Sequence, residues 1–274
     1  MSLLEEGGVG VEAEQEPADV LEMVVAALDL LRHRVQVPHP PLPRSAGEDR
    51  VGARGVVDER AHLAALAAGV RGGLADAHAL AEILERARFA PSGGNRQGWK
   101  VIVVRERATR EALAKLTEPA AKRYVAQQQN GENPWNTIDP PRVDAATIER
   151  TPPLMRLIEP VLKAPVVLVI CVDLKVVAST DQHLDRVGVI SGASIYPFAW
   201  NILLAARARG FAGTITTLAV AQEPKLKPLL GLPSHVAVAA VMPLGRPVKQ
   251  LTKLKRKPVS EFAMRERWGG LPLA

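Results

Sequence analysis

From residue 79 onward the apolar positions fall into sharp periods. In "ALAEILERARFA", Leu80, Ile83, Leu84 and Ala87 recur at i, i+3, i+4 and i+7. That spacing predicts an amphipathic helix, ended by Pro91. "KVIVV" predicts a short buried strand. "ATREALAKL", with Thr109 near its start, and "EPAAKRYVAQQQ" predict two helices. "NGENPWNTIDPPRV" carries three prolines and a glycine and reads as a loop. "PLMRLIEPVLKA" reads as helix and "PVVLVICVDL" as a buried strand. A long helix is expected from about Asp185 to Arg209, bent at Pro197 and capped by Gly210. Its apolar residues cover more than one face, which suggests burial against another chain or the centre of a sheet. "AGTITTLAV" then reads as a strand edge, "EPKLKPLLG" as a short helix and "HVAVAAVMPLG" as a strand.

Residues 1–78 have a different texture, rich in Ala, Arg, Gly, Pro and His. Val20, Val24, Leu28 and Leu31 keep helical spacing, and "DERAHLAALAAGV" could form a second helix. Between them "VQVPHPPLPRSAGEDRVGARG" has many breakers and no period, and reads as loop or disorder. The division expected is a divergent N-terminal region over 1–78 and a folded domain over 79–274.

Composition narrows the classes. The chain has 274 residues, 47% of them apolar but only 4% aromatic, so the core must be aliphatic and alanine-rich. The single cysteine, Cys171, lies in "VVLVICV" and reads as an inert core residue. No apolar run approaches the ~20 residues that span a bilayer. The first residues are acidic rather than basic and then apolar, so a cytoplasmic location and no membrane partner are expected. Net charge is +6 and the pI about 9.7. Charge alone raises nucleic acid as a partner, but there is no zinc-finger spacing and no RNA-binding aromatic signature. A small anionic ligand or a solvated surface explains the charge as well. Strands and helices alternate without a clean βαβ repeat, and neither GxGxxG after a strand nor GxxxxGK[ST] occurs.

The chemistry concentrates at one junction, "APSGGNRQGW", residues 90–99. Here a helix must stop and the chain must turn sharply into a strand. Gly93 and Gly94 permit unusual dihedral angles and let a flat ligand approach main-chain N–H groups. Ser92, Asn95 and Gln97 add side-chain donors and acceptors that suit a planar heteroaromatic ring with amide edges. An ordinary capped turn uses the same residue types.

The segment "ILERARFAPSGGNRQGWKVIVV" resembles the signature of the nitroreductase family of FMN-dependent oxidoreductases, Ala-Pro-Ser-x-x-Asn-x-Gln-Pro-Trp between a helix and a strand. Three further stretches follow in the family's order. "ISGASIYPFAWNILLAARARGFAGTITTL" is similar to its dimer-core helix and following turn, "LLGLPSHVAVAAVMPLGRP" to its Gly-Leu-Pro loop and strand, and "KRKPVSEF" to its basic C-terminal segment. The resemblance covers roughly residues 79–268. It implies an α+β sandwich, a mostly antiparallel sheet flanked by helices, in an intertwined homodimer that holds FMN at its interface. Carried over by motif, Pro91, Ser92, Gly93 and Asn95 line the flavin from one chain, with Gln97 close by. Gly213, Thr214, Thr216, Thr217 and Leu218 approach it largely through backbone, and Arg256 with Lys255 binds the phosphate, a task suited to a guanidinium fork. Trp135 and Asn136 could form a lid over the ring and contact substrate, or belong to a plain surface loop.

This sequence departs from the pattern in three places. Gly98 replaces the family's proline, which should loosen the turn, and "FAWN" with Trp200 replaces its Gln-Asn pair. Near residue 62, where an Arg-Arg-Ser-like triplet should grip the phosphate, the text is "ERAHLAALAAGVRGGLADAH", with Arg60 and Arg71 at its flanks. Either this region has diverged and FMN affinity is reduced, or the residues before 79 are read in a shifted frame. The reaction the resemblance implies is ping-pong hydride transfer from NAD(P)H to nitroaromatics, quinones or similar small-molecule acceptors. A relative with other flavin chemistry (dehalogenase, dehydrogenase or flavin-destroying) and an FMN-deficient, non-catalytic member stand beside it. No acid–base residue is expected, because the cofactor carries the chemistry. His183 and Asp185 read as a helix start.

Overall fold

In the computed structural model the described residues are 70–71, 77–249 and 254–273. The expected helices at Val20–Leu31 and in "DERAHLAALAAGV", the breaker-rich stretch between them and the missing triplet near residue 62 lie outside them.

The centre of the fold is β3 (Val166–Asp173), every residue of which is buried except the last. An apolar run with no polar alternation needs cover on both faces. Even-numbered Val166, Leu168, Ile170 and Val172 face one core, and odd-numbered Val167, Val169 and Cys171 face another. The sheet is antiparallel in the order β1 (Val70–Arg71), β5 (Val236–Pro247), β3, β2 (Trp99–Val104), with β4 (Ala212–Gly213) also on β5. A bulge between Ile170 and Cys171 leaves Ala239 as the extra residue of β5, and the Tyr196 hydroxyl donates to its carbonyl at 3.2 Å.

Over the first face pack α1 (Ala77–Ala87) and α5 (Tyr196–Ala208), through Leu80, Ile83 and Ala87 and through Phe198, Ala199 and Ile202. Trp99 of β2 stacks on Phe198 with ring centroids 4.8 Å apart. Over the second face pack α2 (Arg107–Gln129), α4 (Glu159–Lys163) and α6 (Glu223–Leu230), through Leu113, Val161 and Leu226. The architecture is an α+β sandwich with an antiparallel sheet between helices, as the resemblance implies.

Several expectations change. The two helices expected over "ATREALAKL" and "EPAAKRYVAQQQ" are one helix, α2, with Pro119 inside it. Leu113, Ala114, Thr117, Ala120 and Ala121 keep one buried face across the proline, which itself points to solvent. Packing of that face outweighs a proline cost of ~3 kcal/mol. The long helix from Asp185 is shorter. A 3₁₀ turn occupies Ile190–Ser194 and the helix begins at Tyr196. Pro197 therefore sits in the first turn, where its missing N–H costs nothing, and starts the helix rather than bending it. His183 and Asp185 are exposed and cap nothing. Gly210 has φ +74 and closes the C-terminus, as expected. "AGTITTLAV" makes a strand only at Ala212–Gly213, then a single bridge from Thr216 to Val241, then a 3₁₀ turn over Leu218–Gln222. "PLMRLIEPVLKA" is a 3₁₀ turn at Met155–Leu157 followed by the short α4. Between them and α2 lies an unexpected helix, α3 (Ala145–Arg150), whose N-cap Asp144 accepts from the Thr147 N–H at 2.6 Å.

Ile170 is fully buried between Val101 and Ala240 on the sheet. Ile170→Ala should lower the free energy of unfolding by about 2–5 kcal/mol in urea titration. A loss below about 1 kcal/mol would mean that β3 is not the centre of the core.

Candidate functional site

The turn after α1 is built by its own side chains. Ser92 Oγ accepts from the Gln97 N–H at 2.9 Å, and the Asn95 N–H reaches the Ser92 carbonyl at 2.8 Å. Gly94, Asn95 and Gln97 all have positive φ, at 59°, 50° and 49°. Glycine adopts that region freely, and asparagine tolerates it better than most residues. Gln97 Nε2 donates to Asn95 Oδ1 at 3.1 Å, which leaves Asn95 Nδ2 and Gln97 Oε1 uncommitted among the described residues. Pro91, Gly93, Asn95 and Gln97 are exposed and Ser92 is half-buried. The turn thus presents one free amide donor and one free amide acceptor at a surface already shaped.

Gly98 does not loosen this turn. It is buried, its carbonyl accepts from the Asp173 N–H at 2.8 Å, and a Cβ there would stand 2.7 Å from Val176 Cγ2. Outside the turn, the Gly93 N–H donates to Ser194 Oγ at 3.1 Å and Arg96 donates to the Val176 carbonyl at 3.3 Å.

The second group of expected residues lies after α5. Gly213 pairs with Leu244, and a Cβ at Gly213 would stand 2.2 Å from Leu244 Cδ2 and 2.7 Å from the Pro243 carbonyl, so only glycine fits. Thr214 and Thr216 are half-buried, Thr217 is exposed and Leu218 is half-buried. Thr216 exchanges backbone hydrogen bonds with Val241 at 3.0 and 2.8 Å.

These two groups are not brought together within one chain. Ser194, the anchor of Gly93, precedes α5, and Gly213 follows it. The helix is 13 residues long, which is about 20 Å. The sheet agrees, since Gly98 meets Asp173 at one end of β3 while Gly213 aligns through Leu244 with Val166 at the other. The rise along β3 and three ladder spacings put Gly98 and Gly213 about 27 Å apart.

Lys255 and Arg256 are exposed in an irregular segment, and Arg256 donates to the Lys255 carbonyl at 2.8 Å. No described contact joins them to either group. Trp135 and Asn136 belong to a loop whose neck is tied. Glu132 accepts from the Arg142 and Val143 N–H groups at 3.2 and 2.8 Å, and from Gln127 and Asn130. Buried Gln127 accepts from the Trp135 N–H at 3.2 Å, and the Arg123 guanidinium lies 4.0 Å from the Trp135 ring centroid. Asn136 Oδ1 accepts from the Ile138 and Asp139 N–H groups at 3.0 and 2.6 Å, so its amide shapes its own loop.

Sequence reasoning missed two residues, Ser194, which accepts from Gly93 in the turn, and Asp181, in the connection that precedes Ser194. Asp181 is 4% exposed and accepts from Val189 and Ile190 N–H at 2.7 and 3.3 Å, Arg186 at 2.7 Å and Ser179 at 3.1 Å. The sequence offers two carboxylates in this stretch, Asp181 and Asp185, and nothing in the spacing separates the buried one from the exposed one. The Val189 amide above all, with Arg186 and Ser179, holds the Asp181 carboxyl far below the usual carboxylate range against the cost of burial. Glu132, bonded first by Asn130, and Asp144, bonded first by Thr147, are also lowered. Cys171 is pushed up to about 11 by burial and then by Glu223, so it is no nucleophile near neutral pH.

A family model, the Nitroreductase family, matches residues 76–246. Human iodotyrosine deiodinase 1 is 26% identical over 182 residues, 66% of this chain, and the chain spans only 58% of that protein. An NADH dehydrogenase of Thermus thermophilus is 27% identical over 193 residues, 68% of this chain and 83% of that protein. Among solved structures, the NfrA1 nitroreductase of B. subtilis superposes with TM-score 0.52 at 15% identity, covering 73% of this chain and 70% of that one. A BluB-like flavoprotein of Clostridium difficile 630 gives TM-score 0.52 at 18% identity, covering 73% and 94%.

The three lowered carboxylates set an acid limit. Their folded pKa values lie below their unfolded ones, so their contribution is full above the ordinary carboxylate range and is lost as pH falls. The melting temperature should hold from neutral pH to about 5 and drop below about 4. Asp181→Asn should flatten that drop. A decline already under way between about pH 7 and 6 would contradict this assignment.

Proposed function

This chain belongs to the nitroreductase family of flavin oxidoreductases, and from that premise we propose that it is an FMN-dependent, NAD(P)H-consuming homodimer that reduces nitroaromatics, quinones or similar acceptors. The observation that carries this reading is the turn at Ser92–Gln97. It offers a donor, Asn95 Nδ2, beside an acceptor, Gln97 Oε1, on exposed and pre-shaped backbone. That pair complements the alternating carbonyl and N–H edge of a flavin ring. Gly213 adds a strand edge with no side chain, where a ring can approach main chain. Arg256, with Lys255, supplies exposed cations suited to a phosphate. FMN, when bound, supplies two-electron transfer between nicotinamide and acceptor. The chain's part is to hold the ring edge, cover one face and keep water from the other. On this reading residues 79–274 form the FMN-binding domain and the protein acts in the cytoplasm without nucleic-acid or membrane partners.

The separation of the two groups supports the homodimer. One flavin cannot touch both ends of α5 in one chain, so one chain supplies Pro91, Ser92, Gly93, Asn95 and Gln97. A second supplies Gly213, Thr214, Thr216, Thr217 and Leu218. An apolar stripe on α5 supports such a pairing. Tyr196, Trp200 and Leu204 recur every four residues and are 43%, 56% and 50% exposed. On this reading Trp135 and Asn136, on the tied loop, line the acceptor side. A second reading, reductive dehalogenation of an aromatic acceptor, draws on the similarity to iodotyrosine deiodinase 1. Halide release from a halophenol under anaerobic conditions with NAD(P)H would single it out.

The purified protein should be yellow, with a flavin absorption band that bleaches on anaerobic addition of NADH or NADPH. A colourless protein that takes up no added FMN overturns the reading. Trp200→Asp with Leu204→Asp should yield a monomer in light scattering and lose the flavin with it. A monomer that keeps its flavin would refute the shared site.

A further inference from the structure

The turn at residues 92–97 is tied to the rest of the described chain by two hydrogen bonds, Gly93 N–H to Ser194 Oγ and Arg96 to the Val176 carbonyl. Both acceptors lie on the same connection, residues 174–195 between β3 and α5, one near each end. This connection is irregular over most of its length, and its residues 182–190 are all exposed. Something other than a core must hold its shape.

Asp181 does. Its carboxylate, nearly inaccessible to water, gathers the Val189 and Ile190 amides, the Ser179 hydroxyl and the Arg186 guanidinium. Gly188 packs beside it, where a Cβ would stand 3.6 Å from Oδ1. Ile190 opens the 3₁₀ turn that ends at Ser194, so the residues Asp181 grips lead directly into the turn that carries the Ser194 hydroxyl. On the other side, Ser179, which donates to Asp181, lies three residues after Val176. The same connection lines a cavity of about 580 Å³ through Leu174, Val177, Thr180, Gln182 and Ser191.

We propose that Asp181 is a positioning residue for the cofactor site. It acts through Ser194 and touches no cofactor itself. It sets the connection whose two ends hold the turn that presents Asn95 and Gln97. The inference rests on the reading of that turn as the flavin edge site. The Val189 and Ile190 amides and Arg186 converge on Oδ2, and the Ser179 hydroxyl donates to Oδ1. Asparagine can keep an oxygen for those three donors, with Ser179 turned to accept, but it loses the negative charge that makes the bonds from the amides and the guanidinium strong.

The test uses the full chain with Asp181→Asn and Ser194→Ala, singly and combined. Two quantities are read: the FMN dissociation constant from flavin fluorescence, and amide exchange by mass spectrometry in peptides over residues 89–98 of the flavin-free protein. Asp181→Asn should raise the dissociation constant about tenfold and speed exchange over 89–98. Ser194→Ala should do the same. The double variant should be no worse than Asp181→Asn alone, because both changes break one chain of contacts. Unchanged affinity and exchange with a lowered melting temperature would overturn the proposal, as would strict additivity. If Asp181→Asn does not fold, Arg186→Ala removes one donor and should shift both readouts less, in the same direction. No shift there also overturns it. A wild-type protein that binds no FMN refutes the functional reading, while the exchange measurements still decide the role of Asp181.

Discussion

The two ends of α5 cannot meet. The helix runs 13 residues along one face of the sheet, with the anchor of the Ser92 turn before it and the Gly213 strand edge after it. In the proposed arrangement each end presents one part of the site for a flat ligand. On the proposed reading this constraint makes the dimer part of the chemistry rather than an addition to it. The helix that separates the half-sites also carries the apolar stripe through which a second copy would supply the missing half. A change in the length of α5 would therefore move both half-sites and the interface together.

The sheet is what allows such a helix to be held rigidly. Because β3 is buried on both faces, each of its residues from Val166 to Val172 contributes to one of two cores, and α5 is clamped through Phe198, Ala199 and Ile202. Three carboxylates shape segments around this core. Glu132 closes the neck of the Trp135 loop, Asp144 caps α3, and Asp181 gathers the connection into α5. Each draws backbone N–H groups onto ionised oxygen, an interaction stronger than a neutral hydrogen bond. Hydrophobic burial sets the frame, and carboxylates ranging from buried Asp181 to exposed Asp144 shape the segments around it.

What could be read in the sequence followed from period and motif. The strands "KVIVV", "PVVLVICVDL" and "HVAVAAVMPLG" and the helix before Pro91 were legible because burial leaves a regular mark. The Ser92 turn stood out through the family motif it resembles, since glycine, serine and asparagine alone suit an ordinary capped turn equally well. The start of α5 was not, because Asp185, Val187, Val189 and Ile190 mimic a helical stretch while their backbone is spent on turns around Asp181. Pro119 misled for the opposite reason, since packing of a continuous buried face overrode a local breaker. Gly98 appeared to be a loosening and is a point of close packing against Val176. Asp181 and Ser194 could not be singled out, since their importance lies in contacts across the fold that no spacing encodes.

The central claim is that each flavin site takes its turn from one chain and its strand edge from another. Subunit complementation tests it most directly. One variant carries Asn95→Ala with Gln97→Ala, and the other carries Thr214→Trp. Each alone should lack bound FMN. When the two are unfolded together and refolded, the heterodimer should regain one live site, seen as flavin absorbance in the dimer fraction and as NAD(P)H oxidation. Recovery of neither, from variants that each fold and dimerise, would place both halves of the site on the same chain and contradict the account.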